Sequence, residues 1–163
     1  MTDLAVSIIN YRTGEMTIAA VASVLEALGE READVVIVDN ASGDGSADEI
    51  AAWIEARGDP RVRLVRSATN SGFSGGHNRG MAAAPGADFY LILNSDALLR
   101  PGFFEPLLAA AEAHPEAGLI AARLEWEDGT PQQSCFRFAG PLSELDRGAA
   151  TGPVLPVQLA QVM

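Results

Sequence analysis

Asp88-Phe89-Tyr90-Leu91-Ile92-Leu93-Asn94-Ser95-Asp96 is the stretch whose reading decides the fold. Phe89 to Leu93 is a nearly continuous apolar run of aromatic and branched residues, the pattern of a strand buried on both faces. It stops abruptly at three small oxygen-bearing residues. In open α/β sheets ligands bind at the carboxyl edge, where loops and helix starts converge. A carboxylate there suits a hard divalent cation shared with ligand phosphates. Asn-Ser-Asp is equally good turn composition, so on this stretch alone Asp96 serves as well for a cap as for a ligand.

Working outward, strands alternate with helices. Residues 4–9 read as a first strand, apolar except for Ser7, running into the polar loop Asn10-Tyr11-Arg12-Thr13-Gly14. Ile18, Val21, Leu25 and Leu28 recur at helical spacing, and Gly29 is a plausible stop. Residues 35–38 make a second strand that ends in Asp39-Asn40-Ala41-Ser42-Gly43-Asp44-Gly45. Ser46 and Glu49 have capping-box spacing, with Ile50, Trp53 and Ile54 as the next helix face. Residues 62–65 form a short third strand. Asn70 to Gly80 then carries four glycines in eleven residues, the composition of a loop whose backbone turns tightly or approaches something closely. Met81 to Ala84 extends it as a helix up to Pro85-Gly86. Beyond Asp96, Pro101 suits the first turn of a helix running to about His114, with Leu107, Leu108 and Ala111 inward.

Residues 118–124 read as another apolar strand, Glu125 to Pro131 as a turn, and residues 134–138 as a further strand. Residues 143–152 read as loop. Alternation from the start predicts a mostly parallel sheet with helices on both faces and right-handed crossovers, without internal repeats.

Bulk properties bound the function. At 163 residues and 48% hydrophobic composition the chain is one domain with a sizeable core. Its net charge is −11 and every basic residue is arginine, which argues against binding nucleic-acid backbones. An acidic site still binds a diphosphate when a metal lies between them. The single cysteine, Cys135, excludes an internal disulfide and a cysteine-cluster metal site, and indicates a reducing compartment. Asp3 stands where a leader would be basic, and no apolar run approaches a membrane span, so a soluble, cytoplasmic protein is expected.

Three strand ends carry unusual chemistry, Asn10-Tyr11, Asp39-Asn40 and Asn94-Ser95-Asp96, and a parallel sheet gathers them with the glycine-rich segment on one edge. A dinucleotide-binding site would need Gly-x-Gly-x-x-Gly directly after the first strand. That turn has only Gly14. A P-loop is excluded, since the chain has no lysine.

Val-Ser-Ile-Ile-Asn-Tyr, Val-Ile-Val-Asp-Asn-Ala-Ser-Gly-Asp-Gly-Ser, Asn-Ser-Gly-Phe-Ser-Gly-Gly-His-Asn-Arg-Gly and Leu-Ile-Leu-Asn-Ser-Asp-Ala resemble, in order, the motifs of inverting family-2 glycosyltransferases, nearest their rhamnosyltransferase-like branch. The resemblance spans roughly residues 4 to 110. It implies the GT-A nucleotide-diphospho-sugar transferase fold and transfer of a sugar from a UDP- or dTDP-sugar to a glycan or lipid-linked acceptor. Carried over, it places Asn10 and Tyr11 at the nucleobase, with Tyr11 packing on the ring. Asp39 then bonds the base and Asn40 supports that loop. It places Asn78 and Arg79 near the ribose and diphosphate. Asn94, Ser95 and Asp96 fall where the family has Asp-x-Asp, with Asp96 ligating Mn²⁺ or Mg²⁺. With Asn94 in the first position, one carboxylate fewer is available, so metal affinity without nucleotide is expected to be weak. His77 reads as structural.

An inverting transferase needs a general base for the acceptor hydroxyl, which family relatives carry in a Glu-Asp-containing motif of the second half. Glu125, Glu127, Asp128, Glu144 and Asp146 do not match its surroundings, so the catalytic base is unassigned. Residues 1–124 read as the donor-binding core and 125–163 as the start of an acceptor-side region. The alternative is a non-catalytic nucleotide-sugar-binding or interaction module. The expected partners are the donor and the acceptor, without nucleic acid or a transmembrane segment, and with peripheral membrane proximity left open. The apolar end, Val154 to Met163, predicts self-association, which light scattering across a concentration series detects. A strictly monomeric result counts against it.

Overall fold

The computed structural model describes residues 4–126 and 128–132. The chain divides into two units, Met1–Ile120 and Ala121–Met163. The first holds β1 (Leu4–Asn10), α1 (Gly14–Leu28), β2 (Asp34–Asp39), α2 (Ser46–Arg57), β3 (Val62–Arg66), α3 (Gly72–Ala83), β4 (Phe89–Leu93) and α4 (Phe104–Ala113). The four strands form one parallel sheet in the order β3-β2-β1-β4. Parallel pairing puts every strand's carboxyl end on the same edge, as the alternation of elements predicts.

Side chains of alternate parity divide the strands between two layers. On one face Leu4, Val6, Ile8, Val35, Ile37, Val62 and Leu93 form a core with α1, Ile50 of α2 and the fully buried Phe104 of α4. On the other, Ala5, Val36 and Val38 pack with Ala83 and Ala84 at the end of α3. The sheet thus has helices on both faces.

Several local expectations are corrected. The glycine-rich stretch read as a loop is helical from Gly72, because its glycines serve packing. A β-carbon on Gly76 would lie 2.7 Å from Ile9 Cδ1. One on Gly80 would overlap Ser7 Oγ while lying 3.1 Å from Ser7 Cβ. Gly76 and Gly80, one helical turn apart, let α3 lie directly on β1. Ser46 is not an N-cap. Gly45, left-handed at φ 92°, holds that position without a side chain, and Asp44 Oδ1 accepts from Ser46 N at 3.0 Å instead. Phe89–Leu93, expected to be buried on both faces, is half-buried and pairs with β1 alone among the described residues, with Ile92 40% exposed. Pro101 lies in a turn before α4, which begins at Phe104. Pro106 falls inside the first turn, where its missing N–H costs nothing.

Residues 118–124 form no strand, and Leu119 is 96% exposed. In the second unit the turn is as expected: Glu125 and Pro131 make an antiparallel bridge, and Trp126 N donates to Thr130 O at 2.9 Å. The expected strand at 134–138, Cys135, the loop at 143–152 and the apolar end lie outside the described residues. No described helix is long and apolar enough to cross a membrane.

Two opposed effects act on Gly80→Ala. Alanine gains about 1 kcal/mol of helix propensity, while overpacking against Ser7 costs about 1–3 kcal/mol. The Ser7 side chain that the new methyl meets is held by its bond to His77 Nδ1 and has little room to relax, so net destabilisation is expected in urea unfolding, with partial recovery in Gly80→Ala/Ser7→Ala.

Candidate functional site

β1 and β2 end in register, Asn10 opposite Asp39. Both are buried, Asn10 completely. Asn10 Nδ2 lies within donating distance of three acceptors, Asp39 Oδ1 at 2.8 Å, Ser46 Oγ at 2.8 Å and Ser42 Oγ at 3.1 Å. An amide nitrogen carries two hydrogens, so one of these bonds is always shared. Asn10 Oδ1 accepts from Thr13 N at 3.1 Å and from the hydroxyls of Thr13 and Thr17 at 3.3 and 3.4 Å. Asp39 also accepts from Ser42 Oγ at 2.5 Å. One carboxamide therefore knots the loops that follow β1 and β2.

Each of those loops holds a non-glycine residue in the left-handed region, Arg12 and Ala41, both at φ 61°. Such conformations cost on the order of 1–3 kcal/mol and persist where the surroundings over-determine them. Here Arg12 N donates to Ser42 Oγ and Arg12 Nε to Ser42 O, both at 3.1 Å. Nothing in the identities of Arg12 and Ala41 signals this. The same guanidinium lies 5.2 Å from the centroid of the Tyr11 ring, which is 43% exposed. Tyr11 is thus presented at the edge, not packed in the core.

Asn40, also buried, ties β2 to the start of α3. Its Nδ2 donates to Asn70 Oδ1 at 2.9 Å and Gly72 O at 3.1 Å, and its Oδ1 accepts from Ser71 N at 3.0 Å. Asn78 is exposed on α3. Arg79 Nη1 donates to Ser67 Oγ, just past β3. Arg79 is therefore on the flank away from β4, and the structure does not bring it beside Asp96. His77 is buried against Phe73, with ring centroids 4.5 Å apart. Its Nδ1 lies 2.9 Å from Ser7 Oγ, and its Nε2 has no hydrogen-bond partner among the described residues.

At the end of β4, Asn94 and Asp96 are exposed while Ser95 between them is half-buried. A turn bond from Ala97 N to Asn94 O at 3.2 Å shapes the segment. Thr13 Oγ1 donates to Ser95 Oγ at 3.2 Å, joining this turn to the β1 loop. Thr13, Thr17, Ser42 and Ser46 escaped the sequence reading because small hydroxyl residues after a strand read as ordinary turn chemistry. Among the described residues no three His, Cys, Asp or Glu side chains form a metal cage. An exposed carboxylate such as Asp96 could hold a hard cation together with phosphate oxygens and water, without a protein cage.

A hollow of about 290 Å³ adjoins the knot, lined by Arg12, Thr13, Gly14, Asp44, Ser46 and Glu49 among others. A wider one of about 690 Å³, around Gly29, Arg57, Asp59 and Arg61, lies at the amino ends of the strands, far from this chemistry.

The model of the family described as "Glycosyl transferase family 2" matches residues 5–142. "Succinoglycan biosynthesis protein ExoO" of Rhizobium meliloti (strain 1021) is 33% identical over 111 residues, 68% of this chain and 30% of that protein. Among solved structures, the mannosyltransferase PcManGT from Pyrobaculum calidifontis, in complex with GDP-Man and Mn²⁺, aligns with a TM-score of 0.57 at 24% identity. That alignment covers 67% of this chain and 31% of PcManGT. S. aureus TarS 1-349 in complex with UDP aligns at 0.58 and 20% identity, over 71% of this chain and 33% of TarS. These likenesses establish the GT-A fold. The chain spans about a third of the length of the proteins it matches.

Burial lowers the His77 pKa from its ordinary value, because the charged imidazolium is disfavoured there. Between that lowered value and about 6.5 the unfolded chain binds more protons than the folded one. The His77 contribution to stability is therefore complete above about pH 6.5 and is lost as pH falls through the folded value. The urea midpoint is expected to fall over that interval, and His77→Gln to flatten the fall. An unchanged slope in the variant contradicts this.

Proposed function

This chain belongs to glycosyl transferase family 2, and we propose that it is the donor-binding part of an enzyme that transfers a sugar, with inversion, from a nucleoside-diphospho-sugar to a glycan or lipid-linked acceptor. One observation carries the reading. Asn10 and Thr13 join the ends of β1, β2 and β4 at one sheet edge, beside an exposed tyrosine and an exposed carboxylate.

In this reading Tyr11 stacks on the base, and Asp39 accepts a hydrogen bond from it by exchange with its present donors. Asn10 and Asn40 hold the two loops in place. Asn78 and Arg79 serve the ribose and the adjoining part of the diphosphate, with Arg79 kept on Ser67 at the flank away from β4 and apart from the Asp96 metal. Asn94 and Ser95 shape the turn, and Asp96 holds Mn²⁺ or Mg²⁺, whose charge when bound stabilises the leaving diphosphate. The nucleotide-sugars GDP-Man in PcManGT and UDP-GlcNAc in a TarS complex, the nucleotide UDP in another, and Mn²⁺ in PcManGT support a nucleotide-sugar and a divalent ion. The succinoglycan relative supports a polysaccharide product. We assign the donor to the UDP- or dTDP-sugars, on the rhamnosyltransferase-like motifs, and the location to the cytoplasm. Residues 125–163 begin the acceptor-side region, and the general base lies outside the residues assigned here.

Calorimetric titration of UDP and dTDP, with and without Mn²⁺, tests the reading on this chain and on Asp96→Ala. Metal-dependent binding is expected, with at least about a tenfold loss in the variant, since one direct ligand to the cation is removed. Absence of binding by either nucleotide overturns the reading. Equal binding by Asp96→Ala overturns the metal assignment.

A further inference from the structure

We propose that Thr13 is a positioning residue that couples the base-binding end of the donor site to the Asp96 turn, through a continuous run of side chains Asp39–Asn10–Thr13–Ser95. The inference rests on the donor-site reading above and adds to it a residue and a coupling.

Thr13 stands immediately before the first turn of α1, where a threonine ordinarily caps the helix with its hydroxyl. Here no side-chain cap bond is made. The hydroxyl lies instead 3.2 Å from Ser95 Oγ and 3.3 Å from Asn10 Oδ1 and from Thr17 Oγ1. It has one hydrogen for these oxygens. When Thr13 donates to Ser95, Asn10 Oδ1 keeps the bond from Thr13 N. When Thr13 donates to Asn10, the bond to Ser95 is given up. The two arrangements therefore differ in whether Ser95 is held, and a change in what Asn10 Oδ1 accepts shifts the balance between them.

Asn10 in turn faces more acceptors than it has hydrogens, Asp39 among them. A donor arriving on the Asp39 carboxylate competes with Asn10 Nδ2 and biases the whole run. This supplies the two alternative arrangements that coupling between sites requires.

The far end is built to receive such a signal. From Asn94 to Leu99 exposure alternates: Asn94, Asp96 and Leu98 are exposed, and Ser95, Ala97 and Leu99 are half-buried. Ala97 and Leu99 pack on the core, and Leu99 N donates to Ser23 Oγ of α1 at 3.0 Å. Asp96 is therefore held between two attachments, Ser95 on Thr13 and Leu99 on Ser23. Thr13 sets the first of them, next to the carboxylate.

The test measures UDP affinity with and without saturating Mn²⁺ in the wild-type chain and in Thr13→Val, Thr13→Ser, Ser95→Ala and Thr13→Val/Ser95→Ala. The quantity read is the fold gain in affinity that Mn²⁺ gives. Thr13→Val is expected to cut that gain by about three- to tenfold, the range of one lost coupling, over and above any change it makes to metal-free affinity. Thr13→Ser restores the gain, and the double variant is no worse than Ser95→Ala. Equal loss with and without metal, failure of Thr13→Ser to rescue, or additive effects of the two single changes overturns the inference alone. A wild-type chain that binds no UDP under either condition overturns the donor-site reading, and the inference with it.

Discussion

The carboxamide of Asn10 is the constraint on which the functional edge depends. It is completely buried at the end of β1, where each unsatisfied polar group would cost on the order of 1–3 kcal/mol. Its two ends recruit groups from both flanking loops, Thr13 and Thr17 on one side and Asp39, Ser42 and Ser46 on the other. No single loop has enough local partners to settle its own backbone, so the loops settle one another. The left-handed Arg12, bonded through its N and Nε to Ser42, is the visible consequence, and Ala41 beside Ser42 is left-handed as well.

The two edges of the sheet are tied down in different ways. At the amino edge Arg61 donates to Gly29 O at 2.8 Å and Arg31 O at 2.9 Å, while its Nε and Nη2 grip Asp59. That hydrogen-bonded pairing lowers the Asp59 pKa to about 2. The clamp is ionic and has one arrangement. The carboxyl edge relies mostly on hydroxyls and amides, and a hydroxyl hydrogen turns between acceptors without moving heavy atoms, while amide hydrogens stay in the carboxamide plane.

Helix α3 makes the connection between packing and site. Because Gly76 and Gly80 remove the side chains that would hold it off β1, its first residues reach Asn40, and its exposed face carries Asn78. His77 fills the space beneath, bonded to Ser7 on one nitrogen. Close approach of helix to sheet thus fixes where the glycine-rich segment meets the ends of β2 and β3.

The sequence by itself determined the order of elements, the parallel sheet and the edge on which the chemistry collects. Hydrophobic period and the residues just past each apolar run are local, and parallel pairing follows from alternation. The placing of Asn10, Asp39 and Asp96 on one edge was legible because each follows an apolar run, at the ends of β1, β2 and β4. The helical state of Gly72–Ala83, the lack of a strand over 118–124 among the described residues and the half-exposure of β4 were decided only by tertiary structure. Glycine composition looks the same whether it serves a turn or a close contact, and strand propensity has effect only where a partner is present. Thr13, Ser42, Ser46 and Ser95 belong to the same class. A hydroxyl's role is set by whichever acceptor folding brings within about 3 Å, and for Thr13 that partner lies 82 residues away.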